Sequence, residues 1–233
     1  MEKYILKIEF LSDTIFSGGE TIVSVSDIDI LYDEYKIPYY KGKSIKGNIR
    51  ESADIIVENQ KLYDKDLAEK NKKIVTTLFG KNYNKYDGED QLKYKDDQTQ
   101  GILKFENLSL DEAIKETLKY LVDSGEVKKE EILNSLTDIR YATKINRQTG
   151  TAQNTSLRSM RVLNKDVVFY ANIYSDRELS EEELALLICA IKTTRHLGTL
   201  RSRGKGEVKC TLLPKKGDFS DKDIEKLVKK VVG

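Results

Sequence analysis

Residues 3–11 alternate, with Tyr4, Leu6, Ile8 and Phe10 on one side and Lys7 and Glu9 on the other. A period of two marks a half-buried strand. Residues 17–37 are irregular: Gly18-Gly19 leads to the apolar and acidic stretch Asp27-Ile28-Asp29-Ile30-Leu31-Tyr32-Asp33. From Ser44 the period lengthens. Ile45, Ile49, Ala53 and Ile56 recur at helical spacing, and Ser44 is an acceptable N-cap. Residues 58–100 are rich in Lys, Asp, Asn, Gln and Tyr, and only Ile74, Val75, Leu78 and Phe79 form an apolar cluster. This predicts a surface insertion with some helix. Strand character returns at 101–108, and short helices are expected at 111–122 and 128–136.

Residues 140–165 contain no acid and are rich in Thr, Gln, Asn, Ser and Arg, with a turn signal at Asn146-Arg147-Gln148-Thr149-Gly150. They read as a protruding basic loop or hairpin with few apolar anchors (Ile145, Leu157, Met160). Residues 167–174 form a strand apolar on both faces. Ser180 with Glu183 is a capping box. It opens a helix over 180–197 that buries Leu184, Leu187, Ile188 and Ile191. A glycine-rich turn, a strand at 206–213 and an amphipathic helix with Ile224, Leu227, Val228 and Val231 complete the chain. No repeat or linker interrupts it. Strands and helices interleave irregularly, which predicts one α+β domain over residues 1–233, with helices on a mainly antiparallel sheet.

The net charge of +1 argues against a nucleic-acid partner, but its distribution argues for one. Segments 36–50, 139–165 and 195–209 together hold 16 basic residues and one acid, Glu207. The remainder holds 24 basic and 38 acidic residues. A polyanion responds to the local field rather than the total. If the three segments share a face, they make a basic platform on an acidic body; otherwise they are three solvated stretches.

The third segment contains Leu197-Gly198-Thr199-Leu200-Arg201-Ser202-Arg203-Gly204-Lys205-Gly206-Glu207-Val208. Glycines that let backbone N–H groups approach a partner, interleaved with cations, suit a phosphate chain. They also suit an ordinary exposed turn. The loop lacks the Gly-Lys-Ser/Thr ending of a nucleotide-binding P-loop. His196, the one histidine, is either a general base beside Arg195 or a residue at the end of its helix. Tyr39, Tyr40 and Tyr141 either stack on bases or cap the core with a wet hydroxyl. Cys189 and Cys210 have no metal spacing and no disulfide framework, and no Cys/His set supports zinc. The N-terminus runs straight into a strand pattern with no signal-peptide core, and no run approaches the roughly 18 apolar residues of a membrane span. A cytoplasmic protein without membrane contact is expected.

Four strings, taken together and in order, resemble the RAMP superfamily of CRISPR-associated proteins, and more narrowly the repeated backbone subunit of type III CRISPR effector complexes. Ile37-Pro38-Tyr39-Tyr40-Lys41-Gly42-Lys43-Ser44-Ile45-Lys46-Gly47-Asn48-Ile49-Arg50 is similar to the family's "P-x-I-P-G-S-S-L-K-G-x-x-R" signature. Leu78-Phe79-Gly80 followed by Gly101-Ile102-Leu103-Lys104-Phe105 looks like its "L-F-G … G-x-L-x-F" pair. Lys144-Ile145-Asn146-Arg147-Gln148-Thr149-Gly150-Thr151-Ala152 resembles its "I-D-R-x-T-G-x-A" thumb. Gly198 through Val208 looks like its C-terminal glycine-rich loop. The strings span about 170 residues. The chain departs from the pattern at Tyr40-Lys41 and Lys43, which replace an Ile-Pro and a Ser. It departs also at Asn146, which replaces the thumb Asp, and at Ser26, where a small apolar or glycine-rich context is usual.

The resemblance implies a ferredoxin-like, RRM-type antiparallel sheet with helices, a basic thumb over 140–165 and the insertion over 58–100. It implies a guide-RNA-binding subunit that assembles with copies of itself and other effector subunits and cleaves bound target RNA at regular intervals. A loop Asp supports that cleavage, which would use Mg²⁺ or another divalent cation with no fixed protein-only metal site. In the family this Asp precedes a second by six positions, the spacing of Asp27 and Asp33. Asp27 is therefore the catalytic candidate, and Asp29 the fallback. RNA carries its own nucleophile, the 2′-OH, so one loop carboxylate is a sufficient protein contribution once the backbone is splayed into in-line geometry. The RNA-binding set is Lys41, Lys43, Ser44, Lys46, Arg50, Lys144, Arg147, Arg158, Arg161, Arg201, Arg203 and Lys205, with Gly198, Gly204 and Gly206 shaping the loop. Plain surface charge is the other reading of these cations. Two alternatives remain open: a non-catalytic structural subunit of the same assembly, and a guide-precursor processing endoribonuclease.

Overall fold

The computed structural model describes residues 1–16, 29–81, 100–153 and 156–213. Its elements run β1 (Glu2–Phe10), α1 (Gly42–Gln60), α2 (Lys65–Phe79), β2 (Leu103–Phe105), α3 (Glu112–Asp123), α4 (Lys129–Leu136), β3 (Thr137–Ala142), β4 (Arg158–Leu163), β5 (Val168–Ser175), α5 (Glu181–Thr193) and β6 (Val208–Leu213). Asp27, the 82–99 part of the expected insertion and the expected C-terminal helix lie outside the described residues.

The alternation of β1 is realised. Leu6, Ile8 and Phe10 are fully buried, while Lys7 and Glu9 pair at 2.9 Å on the other face. Four strands form a sheet in the order β2-β5-β1-β6, each neighbour antiparallel to the next. β1 and β2 are therefore parallel with β5 between them, and β5 and β6 are parallel with β1 between them. Two interlocked split βαβ units of this kind are the ferredoxin-like arrangement. Helices α1 and α5 pack together, joined by the buried Ser52 and Thr194 hydroxyls 2.9 Å apart. Side chains of α1, α2 and α5 share one core with the inward residues of β1, β5 and β6. Phe10 meets Phe16 and Phe169 edge-on at 5.4 and 5.3 Å, and Tyr40 stacks on Phe16 at 4.5 Å.

The Ser180–Glu183 capping box is present, and Glu183 also takes a bidentate pair from Arg177. Three expectations are corrected. First, α1 begins at Gly42, with no side-chain cap from its own flank. Asn107, from beyond β2, accepts the Gly42 N–H at 2.9 Å and does the work expected of Ser44. Second, α2 is a core helix rather than part of a surface insertion. Asp64 caps it, and Ala68, Val75, Leu78 and Phe79 are buried. Asn71, buried in the same stripe and bonded to Gln60, obscures the helical period in the sequence. Third, α5 ends at Thr193, because Thr194 turns its hydroxyl back to the Ala190 carbonyl and the chain leaves in extended form.

The basic segment 140–165 is anchored more firmly than expected. β3 and β4 pair as a separate two-stranded antiparallel hairpin, from Thr137–Leu163 to Ala142–Arg158. Met160 and Val162 pack with Ile15 in a small second core, and Thr14 and Leu163 exchange both backbone hydrogen bonds. Beyond this base the tip is solvent-facing. Ile145 and Leu157 are exposed rather than anchoring. The expected turn is there: Asn146 accepts the Gln148 N–H on its side chain and the Gly150 N–H on its carbonyl.

Candidate nucleic-acid interface

The glycine-rich loop is held closed at its neck. Leu197 N donates to Gly206 O at 2.8 Å, and Val208 N to Arg195 O at 2.9 Å. Two of its glycines serve close packing inside the protein. Gly198 and Gly206 both have φ of +78°, and an added Cβ would overlap the carbonyl oxygens of Ile15 and Leu197 respectively. Gly204, also at positive φ, faces open space. The loop thus lies against the segment that follows β1: Thr199 N donates to Ile15 O, Gly206 N to Asp13 O and Glu207 N to Ser12 Oγ. The glycines permit this approach of backbone to backbone, and the exposed crown of the loop carries Arg201, Ser202 and Arg203.

The three basic segments meet at this loop. Arg201 reaches back to α1, donating to Asn48 Oδ1 and approaching Glu51 at 3.4 Å. Lys205 and Arg140 converge on one carboxylate oxygen of Asp13, at 2.9 and 3.1 Å. The loop is therefore tied to the 36–50 segment on one side and the 139–165 segment on the other. Between α1 and the loop lies an open cleft of about 210 Å³, lined by Asn48, Glu51, Ser52, Ile55, Thr193, Thr194, Arg195, His196 and Arg201. His196 is exposed on an extended stretch bridged to Glu207, three residues past the end of α5, so neither its helix nor its dipole holds it.

The structure divides the predicted cations into two sets. Lys41, Lys43, Lys144, Arg147, Arg158 and Arg203 are exposed, and no acid among the described residues pairs with them. They are available to a polyanion. Ser44, in the first turn of α1, is partly exposed. The second set is committed within the protein. Lys46 donates to the Leu103 carbonyl at 2.7 Å, and burial, aided by Arg50 and Lys104, pushes its ammonium below the ordinary lysine range. Arg50 pairs with Asp54 at 3.6 Å, and burial raises the Asp54 carboxyl despite that neighbour. Arg201 and Lys205 are paired as described. Arg161 is buried, and its expected RNA contact is corrected. It donates to Thr137 Oγ1 at 3.0 Å, and its Nε lies 3.3 Å from Asp29 Oδ1. That Nε is not aligned for a hydrogen bond, so the contact is coulombic.

This pair also places the fallback acid. The Asp29 side chain is 6% exposed and accepts the Ile30 N–H, so its carboxylate is a structural group turned away from solvent. Tyr40 belongs to the core, its hydroxyl accepting from Asn48, whereas Tyr141 is exposed beside the hairpin. Among the described residues, no three His, Cys, Asp or Glu side chains gather to hold a metal ion, and no helix is long and apolar enough to cross a membrane. Burial pushes the Cys210 thiol up to about 12, and Cys189 is also raised by burial, so both are packing groups. Sequence reasoning missed Asp13, Asn48 and Glu51, whose partners lie up to 192 residues away.

Fold and loop together define the class: a ferredoxin-like α+β protein elaborated by a basic hairpin and a glycine-rich loop. The chain belongs to the RAMP superfamily, whose family model matches residues 7–209. Two of the solved chains similar to it come from type III-B Cmr-beta. One, from a cryo-EM structure of the type III-B Cmr-beta bound to cognate target RNA, has a TM-score of 0.60 at 10% identity and covers 98% of this chain and 99% of its own. The other, from the apo state of type III-B Cmr-beta, has a TM-score of 0.58 at 12% identity and covers 92% and 98%. At such identities the likeness concerns the fold. No curated protein matches the chain.

Proposed function

We propose that this chain is a guide-RNA-binding backbone subunit of a type III CRISPR ribonucleoprotein, with target-RNA cleavage at Asp27. The observation that carries the binding half is the meeting of three basic segments, far apart in sequence, around one glycine-rich loop. Six of their cations are exposed and have no acidic partner among the described residues. Similarity to chains of type III-B Cmr-beta, one bound to cognate target RNA, supports the reading. In the reading, Lys41 and Lys43 at the start of α1 and Arg203 on the loop follow the guide backbone. Lys144, Arg147 and Arg158 on the hairpin bear on the guide–target duplex. Copies of the chain and other effector subunits complete the assembly.

The cleavage half rests on the six-residue spacing of Asp27 and Asp33 together with family resemblance. Asp29 is paired with Arg161, and no three His, Cys, Asp or Glu side chains gather among the described residues. Mg²⁺ or another divalent cation would support cleavage without a fixed protein-only site, and chelation of divalent cations should then stop it. The attacking group is the 2′-OH of the target, so the products carry a 2′,3′-cyclic phosphate and a 5′-OH. Exposed His196 in the α1–loop cleft favours a second reading, a guide-precursor processing enzyme with His196 as general base.

The test uses full-length chain with single-stranded RNA and then with guide–target duplex. Lys41→Ala with Lys43→Ala should flatten the dependence of log affinity on log salt by about 0.7 per lost contact. Asp27→Ala should keep binding and lose cleavage. An unchanged slope removes α1 from the RNA path. Cleavage that survives Asp27→Ala but not His196→Ala transfers the chemistry to the second reading.

A further inference from the structure

We propose that Asp13 is a positioning residue, which fixes the hairpin and the glycine-rich loop in one spatial register so that a single RNA strand can engage both. The proposal rests on the RNA-binding reading above but concerns a residue outside it. Asp13 lies between β1 and the small core, its side chain 15% exposed. One of its oxygens accepts from Arg140 Nε in β3 at 3.1 Å and from Lys205 Nζ in the loop at 2.9 Å. Its own carbonyl accepts the Gly206 N–H at 3.0 Å. The residues on either side repeat the pattern. Ser12 takes the Glu207 N–H, Thr14 bridges to Leu163 in β4, and Ile15 receives the loop at Thr199 and Gly198.

The segment 12–15 is thus a bar with the hairpin base on one side and the loop on the other. Asp13 is the only one of its side chains that holds both through charge among the described residues. Burial raises its carboxyl, but the hydrogen bonds from Lys205 and Arg140 outweigh burial and hold it below the ordinary aspartate range. It is therefore an anion at neutral pH. An anion beside a polyanion site is electrostatically unfavourable to RNA, so its place between two cations calls for a compensating role. Preorganisation supplies one: two binding elements held in register spare the ligand the cost of ordering them.

The charge effect and the positioning effect have opposite signs, which makes the proposal testable. Asp13→Asn removes a negative charge and, by field alone, should tighten RNA. If Asp13 positions, the same change weakens a long RNA that spans both elements, by about tenfold, and leaves a short one that touches a single element unweakened. The probes are polyuridine of about 30 nucleotides and a tetranucleotide, a length at the low end of single-strand site sizes of ~4–16 nucleotides. Melting of the full chain is measured alongside, and Asp13→Glu should restore most of the long-RNA affinity. If Asp13→Asn does not fold, Lys205→Gln cuts the loop arm alone and is expected to show the same split between the two probes. Tighter or unchanged long-RNA binding by a folded variant overturns the proposal. So does equal weakening of both probes, which would mark Asp13 as a stability residue only. Failure of the wild-type chain to bind either probe would instead defeat the RNA-binding reading.

Discussion

The buried Asp29–Arg161 pair offers the sharpest test of how the basic hairpin is built. Asp29→Ala leaves the Arg161 guanidinium without its counter-ion in a site where the two side chains are 6% and 10% exposed. At 3.3 Å and an effective dielectric near 20, the coulombic attraction is about 5 kcal/mol. Part of this is regained by the remaining bonds from Arg161 to Thr137 and Asn134, so a loss of about 3 kcal/mol is expected, at the low end for breaking a buried pair. For a domain of this size that lowers Tm by about 6–12 °C. Calorimetry or circular dichroism melting of the full chain at neutral pH reads it directly. Asp29→Ala combined with Arg161→Met should recover most of the loss, because no buried charge is then left unpaired. A single variant melting within about 1 °C of wild type would refute the structural assignment. If that variant also lost RNA cleavage, Asp29 rather than Asp27 would be the chemical residue.

Two further outcomes follow from local geometry. Gly206→Ala should cost more stability than Gly204→Ala: both pay about 1–2 kcal/mol for positive φ, but only Gly206 would also overlap the Leu197 carbonyl; equal losses by denaturant titration would contradict the packed neck. The Glu183 carboxyl is held below its ordinary 4.5, chiefly by the Arg177 hydrogen bonds. Its contribution is thus present above pH 4.5 and is lost as pH falls through the lower folded value. Glu183→Gln should cost about 2 kcal/mol at neutral pH and flatten the acid limb of the stability–pH curve. An acid limb unchanged in slope would show that this pair is not coupled to folding.

Much of the fold was legible in the sequence because it is written in short-range periodicity. The two-residue alternation of β1, the capping box of α5 and the Asn146–Gly150 turn each depend on residues within a few positions of one another. The errors arose where a local element is completed from afar. α1 takes its cap from Asn107, and α2 hides its core face behind a buried Asn71.

The site divides along the same line. Composition along the chain was enough to mark the three basic segments and the glycine-rich loop. It could not say which cations are free. Lys41 and Arg161 are equivalent in a sequence, yet one is exposed at a helix start and the other is buried against Asp29. The glycines read as openings for a phosphate, whereas at Gly198 and Gly206 the partner is the protein's own backbone. Pairing is a matter of distances of a few ångströms between groups separated by as many as 192 residues. Only the register of the sheet, the packing of the hairpin base and the closure of the loop set those distances, so tertiary structure alone decided which charges face outward.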